Sequence, residues 1–217
     1  MNVRSEARSF IEEARRAQLV QCAIEAISSY GYANATMARI AKLAKASPGV
    51  ISYHFGGKEQ MIQAVVAEVA RLATEMMEPR IVASATATEA LRVYFTTNLE
   101  FMRVHRGPLL ALVEIINHER GEGGRPGPYD AQHEIALADV EKVLAWGQQT
   151  GEFRDFDRRA MAIAIRGAID AVPARMLRDP GLDLEHLAVE FATLFELATR
   201  DPAFGHPPPD HHPPETE

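Results

Sequence analysis

Apolar positions fall three and four residues apart almost throughout the chain, and no run alternates apolar and polar residues between hairpin signals. This spacing predicts an all-α protein. A first long helix is expected from about Phe10 to Tyr30, with Leu19, Val20, Ala23, Ile24 and Ile27 on one apolar face and Gly31 as its stop. In "TMARIAKLAKA", Thr36 is placed to cap a short helix whose buried stripe is Met37, Ile40, Ala41 and Ala44. The next stretch, "SPGVISYHFGGKE" from Ser47 to Glu59, opens another. Ser47 is expected to accept a bond from a first-turn N–H, and Pro48 suits the first helical position, where a missing donor costs nothing. Ile51 and Phe55, four apart, share the inward face. Gly56 and Gly57 end the helix.

From Lys58 a longer helix carries Ile62, Val65, Val66, Val69 and Leu72 and is expected to end near Pro79, which would mark the change from head to body. Helices then follow at about Thr88–His105, Pro108–His118, Asp130–Gly147, Asp157–Leu177 and Asp183–Arg200. The glycines and prolines of "ERGEGGRPGPY" predict a mobile loop, and the tail "GHPPPDHHPPETE" a disordered one. The expected organisation is a head at 1–57, a larger helical body at 58–202 and a Pro/His-rich tail at 203–217.

Composition narrows the class. With 47% hydrophobic and 24% charged residues in 217, the chain reads as an ordinary globular protein. No apolar run approaches the roughly 18 residues of a membrane span. A charged N-terminus without an apolar signal core and a single cysteine, Cys22, point to the cytoplasm, with no membrane partner. The net charge is −7, yet eight Lys or Arg against five acids leave the first 60 residues at +3, so the remainder carries −10. A basic head on an acidic body suits an anionic partner at one end.

The composition of the stretch from Ser47 to Glu59 bears on what that partner is. Its outer face carries Gly49, Val50, Ser52, Tyr53 and His54. A glycine inside a helix costs about 1 kcal/mol relative to alanine, and one compensating use is close approach to another surface. Lys58, at the N-terminus of the next helix, opposes that helix's dipole, a conflict an outside phosphate would resolve. Two short helices joined by a tight turn fit a helix-turn-helix entering a major groove. They fit equally a helical hairpin packed inside a bundle.

From about Ala17 to Val66 the chain resembles the DNA-binding head of the TetR family of transcriptional regulators. The matching positions are Gly31, Thr36, Ile40, Ala41, Ala44, Ser47, Gly49, Ile51, His54, Phe55, Lys58 and Glu59. Two positions depart from the pattern: Lys45 stands where the family usually has the turn glycine, and Ser52 replaces a frequent tyrosine. The "ISYHF" form resembles a subset that includes choline-responsive regulators, a likeness confined to the head. The resemblance implies that Thr36 and Lys58 contact backbone phosphates, while Ser47, Gly49, Val50, Ser52, Tyr53 and His54 lie on or in the major groove. Arg39 reaches a phosphate or base edge, or is a plain solvated charge.

The resemblance further implies a homodimer on a palindromic double-stranded operator, a small-molecule effector of unstated identity, and repression rather than activation. Candidate dimer residues are Ile165, Ala168, Ile169, Val172, Phe191, Leu194 and Phe195, on the wide apolar faces of the last two helices. Candidate effector contacts are Tyr94, Asn98, Phe101, Met102, His105, Glu114, His118 and Trp146, a mixture of aromatic walls and a few polar groups. A helical adaptor that binds protein, or an activator with the same head, is the alternative. An enzyme is not expected. "HERGE" and "HEIAL" lack the second histidine of a zinc-protease helix, there is no Gly-x-Ser-x-Gly elbow or phosphate-binding glycine loop, and no cofactor or metal is implied. The tail histidines His206, His211 and His212 read as solvated.

Overall fold

A computed structural model describes residues 3–121, 128–202 and 204, with side chains from Phe10 to His118 and from Pro128 onward. Among these, nine helices run in order: α1 Val3–Tyr30, α2 Met37–Leu43, α3 Pro48–Phe55, α4 Lys58–Val82, α5 Ala87–Val104, α6 Arg106–Gly121, α7 Pro128–Thr150, α8 Arg158–Arg178 and α9 Leu184–Thr199. The described residues form no strand, only an isolated bridge between Phe153 and Arg200. None of these helices is long and apolar enough to cross a membrane.

Several helix ends differ from the expected ones. The first helix starts at Val3 rather than near Phe10, because nothing in "VRSEARS" breaks a helix. α4 does not stop at Pro79 but continues to Val82. A proline removes only its own N–H, and the Pro79 carbonyl still accepts the Ala83 N–H at 3.2 Å, so the last turn closes. α6 starts two residues before Pro108, which therefore sits in a first turn that needs no donor from it. Of the predicted loop, residues 119–121 belong to α6 and 128–129 to α7, while 122–127 lie outside the described residues. The predicted disordered tail and its three histidines also lie outside them, apart from exposed Phe204.

Two apolar cores result. The first collects Leu19, Ala23 and Ile27 of α1, Ile40 of α2, and Ile51 and Phe55 of α3. It does not end at residue 57, since Met61, Ile62, Val65 and Val66 of α4 and Ala111 and Ile115 of α6 belong to it as well. The second is built from α5, α7, α8 and α9 around fully buried Phe95, which stacks on Phe195 with ring centroids 5.2 Å apart. Each is a stripe of residues at helical spacing meeting its counterpart, which is where most of a helix's stability in a protein comes from.

The second core is closed by the segment between α7 and α8. Glu152 is buried, and its carboxylate accepts the Ala87 and Thr88 N–H groups, each at 3.0 Å, capping α5. Phe153 lies over Gly147, where a β-carbon would approach its ring to 2.1 Å, so the glycine is needed for that closure.

Candidate nucleic-acid interface

The α2–α3 pair is positioned by its caps and its inward residues. The Thr36 hydroxyl accepts the Arg39 N–H at 3.2 Å and fixes the start of α2, as its sequence position predicts. Ser47 occupies the corresponding place before α3, but its hydroxyl makes no cap bond; the Val50 N–H is taken by the Ser47 carbonyl at 3.0 Å instead. Its hydroxyl is therefore not consumed in holding the helix. Between the two helices the chain reverses at Lys45, the one described non-glycine residue with positive φ, +48°. The turn is closed by the Ala46 N–H on the Ala41 carbonyl at 2.9 Å.

α3 is held by one side and offers the other. Ile51 and Phe55 are 0% and 5% exposed, and the Arg16 guanidinium sits 4.8 Å above the Phe55 ring. Tyr53 is 72% exposed, with Gly49 and Ser52 also exposed and His54 half-buried beside the Tyr53 ring. Val50 is half-buried and packs against the first core, so it projects less than its place on the helix predicts. A β-carbon on Gly49 would meet nothing closer than Ser47 Oγ at 3.8 Å. No packing within the chain requires glycine there.

The same part of the head is rich in cations. Arg39, Lys42 and Lys45 are exposed and Lys58 half-buried, and the sequence has no acid between Glu25 and Glu59, a signal that counting charges over the whole head conceals. Two of the four are already anchored. Arg39 lies 4.5 Å over the Tyr30 ring and donates to the Asn34 carbonyl, so it is not a plain solvated charge. Lys58 donates to the Tyr32 carbonyl at 3.2 Å with its ammonium 4.1 Å from the Tyr32 ring centroid, which partly offsets its placement at a helix N-terminus.

Residues 19–65 match the family described as bacterial regulatory proteins, tetR family. The HTH-type transcriptional regulator BetI 1 of Chromohalobacter salexigens is 42% identical over 59 residues, covering 27% of this chain and 29% of that protein. BetI of Paraburkholderia phymatum is 31% identical over 101 residues, 46% of this chain and 51% of its own. The chain thus spans about half the length, or less, of these curated relatives. Among solved structures, a putative TetR-family transcriptional regulator from a Rhodococcus species superposes with a TM-score of 0.76 at 17% identity, covering 85% of this chain and 98% of that one. Residues 19–65 of this chain thus form a head of the tetR type. FadR of Bacillus subtilis, solved with stearoyl-CoA, shares the fold at a TM-score of 0.71 and 24% identity, covering 82% of this chain and 96% of its own.

The body residues named from sequence separate into two places. Tyr94, Asn98, Phe101 and Met102 of α5 are buried, Asn98 donates to the Tyr94 carbonyl at 2.8 Å, and Phe101 stacks on His105, which caps the helix. Trp146 is half-buried against the second core. Glu114 and His118 lie elsewhere. The Glu114 carboxylate accepts the Tyr32 N–H at 3.2 Å, and the His118 ring stacks on the Tyr32 ring at 3.9 Å, because the same side of α6 carries Ala111 and Ile115 into the first core. They touch the head.

The candidate dimer residues also divide. Ile165, Ile169, Val172 and Phe195 are buried in their own chain's second core, and Ala168 and Phe191 pack against it; Leu194 is 58% exposed. The exposed apolar residues of α8 and α9 are Ile163, Leu177, Val189, Leu194 and Leu197.

Sequence reading missed a polar cluster between α5, α7 and α8. Arg166, whose side chain is only 12% exposed, donates to the Tyr94 hydroxyl at 2.9 Å and to Asp170, whose other oxygen lies 3.1 Å from His133 Nε2. Burial pulls the Arg166 guanidinium toward neutrality, but Tyr94 and Asp170 outweigh it and keep it charged. Burial likewise pushes the Tyr94 phenol up, so it keeps its proton. The visible signal was an Arg–Asp pair four apart in the otherwise apolar middle of α8. Among the described residues no group of three His, Cys, Asp or Glu side chains is placed to hold a metal.

Proposed function

We propose that this chain is a dimeric repressor that binds a palindromic operator in the cytoplasm and leaves it when a small molecule enters the body. One observation carries the reading: α3 turns one face outward, with Tyr53 72% exposed and Gly49 and Ser52 exposed beside it. The stretch that contains it, residues 26–58, holds no acid and supplies Arg39, Lys42, Lys45 and Lys58. On this reading Tyr53, Gly49, Ser52 and the unbonded Ser47 hydroxyl enter the major groove with the half-exposed edges of Val50 and His54. Thr36, Arg39 and Lys58 hold phosphates, which position the protein without specifying sequence.

A single short helix reads too little DNA to select an operator, so two copies bind half-sites about 34–36 Å apart or a multiple of that. The surface available for pairing is the outer side of α8 and α9. There Ile163, Val189, Leu194 and Leu197 are exposed, and a β-carbon on Gly167 would meet nothing within 4 Å, so a second helix can come close. The functional division is a DNA-binding head up to about residue 57 and a regulatory body from Lys58 to residue 202. Structural relatives solved with acyl-CoA ligands, FadR with stearoyl-CoA and AibR with isovaleryl coenzyme A and operator DNA, support a ligand in the body.

Titrating the protein against duplexes tiled across the DNA upstream of its own coding region, with fluorescence anisotropy at several salt concentrations, tests the reading. Binding to one duplex with log affinity falling linearly in log salt is expected. A protein that binds no duplex, or binds with no salt dependence, is an adaptor and not a regulator of this kind.

A further inference from the structure

Arg39 is held in place by its own chain. Its guanidinium lies 4.5 Å over the Tyr30 ring and donates to the Asn34 carbonyl at 3.1 Å. The support beneath it is itself tied down. The Asn34 side-chain amide donates back to the Tyr30 carbonyl at 3.1 Å, the Asn34 carbonyl also takes the Thr36 N–H at 2.9 Å, and the next residue, Ala35, is buried in the first core. Thr36 and Arg39, the two α2 residues proposed to hold phosphates, are thus both referred to Asn34, and the Thr36 hydroxyl takes the Arg39 N–H. Arg39 is exposed and Tyr30 is 47% exposed, so the pair adds little to the core. The bond to Asn34 occupies one of the five guanidinium N–H donors and leaves others for an anion.

We propose that Tyr30 is a positioning residue for DNA binding: its ring keeps the Arg39 guanidinium in the pose that meets a phosphate, without touching the DNA itself. The inference rests on the reading that α2 and α3 bind an operator, and it adds a residue outside that helix pair which sets the affinity. An arginine has rotamer freedom that binding must remove, and fixing one such side chain at an interface costs a factor of about two to twelve in affinity. A ring beneath an exposed cation favours one pose by a factor of about two to five. The second factor is the smaller and limits the effect to about threefold for each head, or about tenfold for two heads on one palindrome. The ring face does this and the hydroxyl does not, so phenylalanine serves as well as tyrosine.

The test uses the full-length protein and the duplex that wild type selects from its own upstream region. Wild type, Tyr30→Phe, Tyr30→Leu, Arg39→Ala and the double variant Tyr30→Leu with Arg39→Ala are titrated by anisotropy at several salt concentrations. Circular dichroism confirms that each folds, and Tyr30→Gln replaces Tyr30→Leu as the ring-free variant if the latter does not. Tyr30→Phe is expected to bind within about twofold of wild type. Tyr30→Leu is expected to bind about tenfold more weakly with the same salt slope, since no phosphate contact is lost. Arg39→Ala is expected to weaken binding and to lower the slope by about 0.9 for each head. In its background Tyr30→Leu should change nothing, as a double-mutant cycle requires of a residue that acts only through Arg39. Tyr30→Leu within about twofold of wild type, Tyr30→Phe as weak as Tyr30→Leu, or an unchanged slope in Arg39→Ala overturns the proposal. An equal effect of Tyr30→Leu with and without Arg39 also overturns it, because a purely structural role or a direct DNA contact gives that result. A wild type that binds no duplex defeats the regulator reading and the positioning role with it, whereas a wild type that binds and is matched by Tyr30→Leu defeats the positioning role alone.

Discussion

Lys45 gives the most direct test of how this head is built. Its φ of +48° puts an L side chain in the left-handed region at the turn joining α2 to α3, a conformation that costs roughly 1–2 kcal/mol for a residue with a β-carbon. Glycine escapes that cost but loses about 0.5–1 kcal/mol more backbone entropy on folding. The expected net gain for Lys45→Gly is therefore about 0.5–1 kcal/mol. In a chain of 217 residues this corresponds to a Tm rise of about 1–4 °C. Lys45→Ala keeps the strain and removes the ammonium, so it separates backbone from charge. In thermal unfolding at matched protein concentration, Lys45→Gly should melt above both wild type and Lys45→Ala, which should melt close together. In operator titrations the two variants should behave alike: if the exposed ammonium reaches a phosphate, each loses about 0.9 from the salt slope. A Lys45→Gly protein no more stable than Lys45→Ala would refute the claim that the turn stores strain.

Tyr53→Ala should leave Tm within about 2 °C of wild type, since an exposed side chain away from the core contributes about 0.5 kcal/mol or less to folding. The same variant should weaken operator binding and alter sequence preference in a competition assay; unchanged binding would remove α3 from the interface. Glu152→Gln should cost about 1–3 kcal/mol near neutral pH, measured by denaturant unfolding. Burial alone would raise the Glu152 carboxyl, but the Thr88 and Ala87 N–H groups and the Thr88 and Thr150 hydroxyls together hold it below its ordinary value. Its contribution is therefore present above the unfolded-state value of about 4.3 and lost as pH falls through the lower folded value, so the wild-type advantage should vanish in acid. Glu114→Ala should bind operator with near wild-type affinity but respond less to effector in the same titration.

Elements with a strong period were legible. The order of the helices, the inward set Ile40, Ile51 and Phe55, and the Thr36 cap follow from residues close together in sequence. What escaped is decided by residues far apart. Nothing near Glu114 says that it will meet the Tyr32 N–H, and nothing near Glu152 says that it will cap α5; helix packing makes both bonds. The α8 and α9 faces show the same limit from another side. An apolar stripe says that a face is covered, not by what, and Ile165, Ile169 and Phe195 are covered by their own chain while Ile163 and Leu197 are bare. Ser47 illustrates a third limit, since residue type licenses a cap without compelling the rotamer that makes it.

Tyr32 is where the two halves of the proposed mechanism meet. It lies in the loop between α1 and α2, and three elements grip it: Glu114 of α6 holds its N–H, Lys58 of α4 its carbonyl and ring, and His118 of α6 its ring. Gly31 beside it, at φ +77°, lets the Glu114 carboxylate come within 3.2 Å of where a β-carbon would stand. α4 and α6 also contribute Met61, Val65, Ala111 and Ile115 to the head's core, so a displacement of either cannot be absorbed by a soft joint. If effector binding moves α6, the head must follow. The ligand then has to bind one head spacing better than the other, and only that difference in affinity can release the operator. Lys58 belongs to both sides of this account: the ammonium proposed to meet a phosphate is the one that holds Tyr32. A lost phosphate would leave it free to tighten on the loop, so DNA binding and the α6 contact are coupled through one side chain.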